Sequence, residues 1–168
     1  MNSNAVILNI YDLNSLNNCL WCIGMGGYHS TIQIYNEEYS FSPIHGIFAN
    51  YVSKDDSLPL RESKLLGTTS NSHSEIRDIL NDMRNDFNIN SYDMLKNNCN
   101  HFSDELCMIL VDSSIPNYVN RLALIFSCFP CLVPRKIDYT EDTYVKRNMT
   151  DDNLLNYEII DFELKIDK

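Results

Sequence analysis

The sequence predicts an α+β fold, in which an antiparallel sheet comes first and helices follow and pack against it. Three patterns support this prediction. Residues 30–35 alternate polar and apolar side chains, as a half-buried strand does. Ser72 and Glu75 have the spacing of a capping box, and apolar residues recur at helical intervals behind them. The same helical spacing returns after Cys99.

The strands are predicted in the first half of the chain. Residues 5–13 form a β-rich apolar run that is typical of a central strand. The alternating run at 30–35 and the segment 38–41 predict a hairpin, with His29 at the start of its first strand. Residues 61–69 predict one more strand, which closes the sheet before the helices begin.

Polar segments and segments rich in turn residues separate these elements. Residues 14–20 are rich in asparagine, and residues 42–60 contain two prolines, a glycine and a polar run, so both are predicted to be loops. A linker over 88–96 leads to the segment around Cys99. From about residue 134 the sequence loses its clean periodicity. We therefore expect a domain over 1–134 and a weakly ordered or docking extension over 135–168.

Two helices are predicted on either side of the Cys99 segment. The first begins at the capping box, and its apolar positions are Ile76, Ile79, Leu80, Met83 and Phe87. The second is opened by Ser114 and Pro116, because proline is favoured at an early helical position. Its predicted inward residues are Val119, Leu122 and Phe126.

Cys99 is predicted to lie in the first turn of a buried helix. Asn97 and Asn98 precede it, and asparagine is a good helix N-cap. Unpaired backbone N–H groups and the positive end of the helix dipole stabilise a thiolate at such a position. A nucleophilic cysteine also needs a base, and His29 is the best candidate. The apolar stripe of this helix is predicted to be Phe102, Leu106, Ile109 and Leu110, with Cys107 in the core.

Composition excludes several classes of protein. The chain has 168 residues, 44% of them hydrophobic, which indicates a globular protein. A formal net charge of -10 and the absence of a basic stripe argue against nucleic-acid binding. The longest apolar run is shorter than the roughly 20 residues of a membrane span. We find no signal-peptide pattern, so we expect a cytosolic or nuclear protein with reduced cysteines and no cofactor.

The pairs Cys19/Cys22 and Cys128/Cys131 present an alternative chemistry, because two CxxC pairs can form a tetrahedral zinc site. Zinc ribbons usually separate their pairs by about 15–20 residues. Here more than a hundred residues intervene, and both pairs lie in apolar surroundings. We therefore expect no metal, and we expect the second pair to pack in the core. Lipidation of the second pair, or an exposed apolar patch around it, remains open.

Several segments resemble, in order, the PPPDE or DeSI family of papain-like thiol peptidases, which are circularly permuted so that the histidine precedes the cysteine. The resemblance runs from about residue 5 to about residue 134. The matching segments are 6–12 (VILNIYD), 28–30 (YHS), 32–35 (IQIY), 38–41 (EYSF), 46–48 (GIF), 66–69 (LGTT), 96–103 (KNNCNHFS) and 115–123 (IPNYVNRLA).

The resemblance implies a permuted papain-like fold, a small antiparallel sheet or barrel packed against the helical part that bears the nucleophile. It also implies a dyad of His29 and Cys99 and isopeptidase activity on ubiquitin or SUMO conjugates. Related proteins can pair around the active-site groove, so a homodimer is among the expected states. The chain differs from the family pattern at Thr31, Gln33 and Asn36, which bears on substrate preference.

In the predicted reaction, Cys99 attacks an amide carbonyl and His29 protonates the departing amine. The backbone N–H of Cys99 is one candidate donor to the oxyanion. Asn98, Asn100 and Tyr11 are the candidate side-chain donors, and the sequence does not choose among them. No third residue that orients His29 is evident.

Two other functions remain open from the sequence. A protein acyl-thioesterase, or a lipid acyltransferase of the LRAT type, would use the same dyad of His29 and Cys99 on a different substrate. A non-enzymatic adaptor would keep the fold and bind partners, for example through an apolar patch around residues 125–133. The modifier and the linkage that an isopeptidase would cleave are also undetermined.

Overall fold

The fold is seen in a computed structural model that describes residues 4–14, 17–20, 26–51 and 58–128. Five antiparallel strands form one sheet in the order β4-β3-β2-β1-β5. The strands are β1 (Ala5–Asp12), β2 (Tyr28–Ile34), β3 (Glu37–Ser42), β4 (Gly46–Tyr51) and β5 (Leu60–Thr68). The helices are α1 (Asn17–Leu20), α2 (His73–Met83), α3 (Cys99–Val111) and α4 (Arg121–Cys128).

The predicted α+β class and four of the strands are confirmed, whereas the loop prediction for 42–60 is wrong over β4. This strand pairs with β3 from Glu37↔Tyr51 to Ser42↔Gly46, so the proline marks a tight turn and not the start of a long loop. Gly46 ends that turn with φ +65, a left-handed conformation that glycine adopts without strain. Residues 52–57 lie outside the described part of the chain.

The asparagine-rich segment 14–20 was also predicted to be a loop, and part of it is the short helix α1. Asn17, its first residue, is buried and holds the turn in place. Its Nδ2 donates to Asp12 Oδ1 at 2.6 Å and to the carbonyl of Gly27 at 2.7 Å. Its Oδ1 accepts from the backbone N–H of Gly27 at 3.0 Å. The side chain thus joins the end of β1 to the start of β2.

The register of the central strands gives the sheet one apolar and one polar face. Apolar residues of β1, β2 and β3 share a buried cluster with α2 and α3, namely Val6, Leu8, Ile10, Ile32, Ile34, Tyr39, Phe41, Ile76, Leu80, Phe102 and Leu106. Successive residues of a strand point to opposite faces, and several of the alternate positions carry polar side chains. Asn9 lies opposite Thr31, and Tyr11 lies opposite His29, on this second face.

The capping box before α2 is confirmed. Ser72 accepts from the backbone N–H of Glu75 at 3.4 Å, and the carboxylate of Glu75 accepts from the backbone N–H of Ser72 at 2.7 Å. The helix ends at Met83, so Phe87 lies beyond it. Phe87 is still buried, because its ring packs edge-on against Phe41.

Two details of the later helices differ from the prediction. Ile109 of α3 is 48% exposed, although Phe102, Leu106, Leu110 and Cys107 of that helix are buried as predicted. The last helix begins at Arg121, because residues 116–120 form a turn in which Val119 donates to the carbonyl of Pro116 at 3.0 Å.

None of the described helices is long and apolar enough to cross a membrane. The predicted extension over 135–168 and the domain boundary at 134 lie outside the described residues. The same holds for Cys22 and Cys131 and for the end of the predicted apolar patch.

Candidate active site

Cys99 is the first residue of α3, as the sequence predicted, and Asn98 is its N-cap. Oδ1 of Asn98 accepts from the backbone N–H groups of Asn100 at 2.9 Å and of His101 at 3.1 Å. Its Nδ2 donates to the carbonyl of Met94 at 2.7 Å. Both ends of the Asn98 amide are therefore occupied in holding the start of the helix.

Asn100 ties the start of α3 to the start of β2. Its Nδ2 donates to the carbonyl oxygens of Tyr28 at 3.2 Å and of Val119 at 3.3 Å. Its Oδ1 accepts from the hydroxyl of Ser30 at 2.8 Å. Both side chains are buried, where hydrogen bonds of this kind are costly to lose. The first turn of the helix and the first residues of the strand thus form one rigid junction.

The sulfur of Cys99 lies in this junction, at a place where two strands separate. The pairing of β2 with β3 runs from Ile34 to Ile32 and stops there. Two residues further along β2, the backbone N–H of Ser30 donates to the sulfur of Cys99. The backbone carbonyl of Ser30 accepts from the hydroxyl of Ser40 at 3.1 Å. Because the pairing of β2 with β3 ends before this point, there is room for the Cys99 thiol beside Ser30, the residue that follows His29.

Other donors also surround the sulfur. The backbone N–H groups of Cys99 and Asn100 and the hydroxyl of Tyr92 form hydrogen bonds with it. The Tyr92 ring is held by Phe41, with ring centroids 5.1 Å apart. Tyr92 lies in the segment that was predicted to be a plain linker, and no local pattern distinguishes it. Only the tertiary packing brings Tyr92 to the sulfur of Cys99.

His29 occupies the polar face of the sheet, half-buried between neighbouring strands. Its Nε2 lies 3.4 Å from Oγ of Ser40 on β3. On the other side lies the ring of Tyr11, with ring centroids 6.2 Å apart. The hydroxyl of Tyr11 donates to Glu38 at 2.9 Å. Ser40 and Glu38 are two residues apart on β3 and lie on the face of the sheet that carries His29. This period of two along a strand could have suggested both residues from the sequence.

Burial makes both groups of the predicted dyad neutral at pH 7. It raises the pKa of the Cys99 thiol to about 11 and outweighs the hydrogen bonds from Ser30, Tyr92 and the helix start, which lower it. Burial also lowers the pKa of His29 to about 4. The N–H groups at the start of the helix do form hydrogen bonds with the sulfur, as the sequence predicted, and they lower its pKa. Desolvation of the charged form is the larger effect.

No group of three or more potential metal ligands occurs among the residues that the structure describes. Cys19 and Cys128 are both exposed, so the predicted packing of Cys128 in the core is wrong. The CxxC partner of each, Cys22 or Cys131, lies outside the described part of the chain. Cys107, in contrast, is completely buried in the core.

Comparisons with known proteins agree with the resemblance. Residues 4–137 match the family described as "PPPDE putative peptidase domain". A DeSI-like protein of Arabidopsis thaliana is 37% identical over 139 residues, which cover 80% of this chain and 62% of the relative. The Desumoylating isopeptidase 1 homolog of Caenorhabditis elegans is 34% identical over 136 residues, covering 76% of this chain and 41% of the relative. A DeSI-like protein of Schizosaccharomyces pombe is 29% identical over 136 residues, which cover 76% of this chain and 68% of the relative. The chain thus spans less than two thirds of the length of the first two relatives.

Proposed function

This chain belongs to the PPPDE peptidase family, and from that premise we propose that it is a cysteine isopeptidase that cleaves ubiquitin or SUMO-like conjugates through Cys99 and His29. Membership implies the permuted papain-like arrangement, in which the histidine strand precedes the cysteine helix along the chain. One relative is named a desumoylating isopeptidase, which is the reason to include SUMO conjugates.

The observation that carries the proposal is the junction between β2 and α3. The backbone N–H of Ser30, the residue after His29, donates to the sulfur of Cys99. The buried hydrogen bond from the Ser30 hydroxyl to Asn100 holds strand and helix in that position at 2.8 Å. A nucleophile and its base need this kind of fixed proximity, since a small misplacement greatly reduces the rate.

The proposed reaction is acyl transfer to sulfur followed by hydrolysis. His29 takes the proton of the Cys99 thiol while the sulfur attacks the isopeptide carbonyl, and the carbonyl oxygen gains negative charge. The tetrahedral intermediate then breaks its C–N bond, and His29 returns the proton to the departing lysine amine. Water next attacks the thioester with His29 again as base, which releases the carboxylate of the modifier and restores the thiol.

A neutral pair suits general-base catalysis, in which the proton leaves the thiol only as substrate is attacked. The donors around the sulfur then stabilise the negative charge that forms there, namely Tyr92 and the N–H groups at the start of α3. We assign the backbone N–H of Cys99 to the oxyanion. The side-chain amides of Asn98 and Asn100 already donate to backbone carbonyls, and the hydroxyl of Tyr11 donates to Glu38. We therefore assign these three residues to holding the site and not to the oxyanion.

The proposal is tested by the intact mass of the protein after incubation with ubiquitin and SUMO that carry C-terminal electrophiles. We expect wild type and the matched control Cys19→Ala, which removes an exposed thiol, to form the adduct. Cys99→Ala should form none, and His29→Ala should react much more slowly.

An adduct that persists in Cys99→Ala would contradict the proposed nucleophile. If neither probe reacts, while iodoacetamide still modifies Cys99, the isopeptidase proposal fails. The acyl-thioesterase or lipid acyltransferase alternatives would then become the better explanation. The modifier that reacts identifies the substrate class.

A further inference from the structure

Ser40 is a completely buried side chain of β3 whose hydroxyl contacts two groups at the candidate site. Its Oγ lies 3.1 Å from the backbone carbonyl oxygen of Ser30 and 3.4 Å from Nε2 of His29. The first contact replaces a ladder hydrogen bond beyond the point where β2 and β3 stop pairing. The second joins Ser40 to the proposed base.

A hydroxyl has one proton, and its surroundings determine which group receives it. The carbonyl oxygen of Ser30 can only accept a hydrogen bond, and it is the nearer of the two contacts. The proton of Ser40 therefore points to Ser30. Towards His29 the hydroxyl presents only lone pairs, so the contact at 3.4 Å requires Nε2 of the imidazole to be the donor.

The two nitrogens of a neutral imidazole have opposite roles, because one carries the proton and the other a lone pair. We propose that Ser40 is a positioning residue that holds His29 with its proton on Nε2, so that Nδ1 is the base that takes the proton of Cys99. The role of Nδ1 as base rests on the proposed function. The assignment of the tautomer depends only on the hydrogen bonds of Ser40.

The tautomer can be measured in the intact protein without any substrate. In protein labelled with ¹⁵N-histidine, two-bond ¹H–¹⁵N spectra distinguish a protonated ring nitrogen from an unprotonated one. The chain has four histidines, and His29→Gln identifies the signals of His29 by their loss. At pH 7.5 we expect a protonated Nε2 and an unprotonated Nδ1 in wild type. A proton on Nδ1 in wild type would overturn the proposal by itself.

Ser40→Ala then tests whether Ser40 is the cause. Without the hydroxyl we expect both tautomers of His29 to be populated, and the rate of adduct formation with the reactive modifier probe to fall by about twofold to tenfold, the factor that one net hydrogen bond provides. Ser40→Thr keeps a hydroxyl and should keep the wild-type tautomer. An unchanged single tautomer in Ser40→Ala would refute the role of Ser40.

The matched control is Ser63→Ala, which removes a hydroxyl from β5 on the same polar face. That hydroxyl donates to Oδ1 of Asn9 at 2.6 Å. We expect this variant to keep both the tautomer of His29 and the rate of adduct formation. Failure of the proposed function is distinguishable, since wild type would then form no adduct while the spectra still report the tautomer. If the spectra show the proton on Nε2 but Ser40→Ala forms the adduct at the wild-type rate, Ser40 has no role in the reaction.

Discussion

Asn98 and His101 hold the start of α3 by hydrogen bonds in both directions. The side chain of Asn98 accepts from the backbone N–H of His101 at 3.1 Å, and the backbone N–H of Asn98 donates to Nδ1 of His101 at 3.2 Å. The other ring nitrogen of His101 lies 2.9 Å from the side-chain amide of Asn120. This histidine thus occupies the place that glutamate or glutamine takes in a capping box. Its role is to fix the helix turn that presents Cys99.

Asn98→Ala is expected to lower the free energy of unfolding by about 1–2 kcal/mol, the usual cost of losing a helix N-cap. Urea denaturation measures this change. Asn90→Ala is the matched control, because Asn90 is exposed in the preceding turn and should change stability by less than about 0.5 kcal/mol. Equal stability of Asn98→Ala and the control would show that the cap contributes little.

Tyr92→Phe is expected to raise the pKa of Cys99 further, because the variant removes a hydroxyl that hydrogen-bonds to the sulfur. A hydrogen bond to a charged group is worth about 1.5–3 kcal/mol, so the rise should be about one unit or more. The rate of alkylation of Cys99 by iodoacetamide at pH 9 should fall by about tenfold. Tyr35→Phe is the control, since its hydroxyl donates to the carbonyl of Asn71. Identical pH profiles for the two variants would rule out this role for Tyr92.

Stability is expected to fall as the pH is lowered from about 6.5 to 4, because His29 is neutral in the folded state. Its folded pKa is about 4, below the ordinary value of 6.5, so the unfolded chain binds a proton first as the pH falls. The contribution of His29 to the free energy of unfolding is fully present above pH 6.5 and amounts to about 3 kcal/mol at most. His101, whose pKa burial also lowers, adds to the same slope.

His29→Gln isolates the part of this slope that belongs to His29, since glutamine does not titrate. Urea denaturation at pH 7.5, 5.5 and 4 should show a smaller loss of stability for the variant than for wild type. Parallel curves for the two proteins would mean that His29 is not held neutral by burial. Circular dichroism at each pH checks that both proteins start from the folded state.

Glu38→Gln is expected to destabilise the fold by about 1–3 kcal/mol. Glu38 is only 8% exposed, and its carboxylate accepts hydrogen bonds from Asn9 at 2.9 Å, Tyr11 at 2.9 Å and Thr31 at 2.7 Å. A glutamine turns one acceptor oxygen into a donor group, which leaves one of these buried donors without its partner. Thermal denaturation measures the effect against Glu105→Gln, an exposed control on α3. A change no larger than that of the control would contradict this account.

The parts of the fold that depend on neighbours in sequence could be predicted. The start of α3 at Cys99 depends on an N-cap and an apolar stripe, and the start of α2 depends on the Ser72–Glu75 pair. Strand β4 was missed, because its preceding turn contains a proline that resembles the start of a loop. Ile109 was placed in the core because a period alone does not show how wide a buried face is.

The sequence by itself determined the α+β class, the family, and the choice of Cys99 and His29 as the residues to examine. The tertiary structure alone decided what surrounds them. Ser30, Ser40 and Tyr92 reach the site through strand register and packing between residues distant in the chain. The tertiary structure also determines the protonation of the two proposed catalytic groups. A pKa depends on the difference between desolvation and hydrogen bonding, and both arise only when distant segments exclude water from the same place.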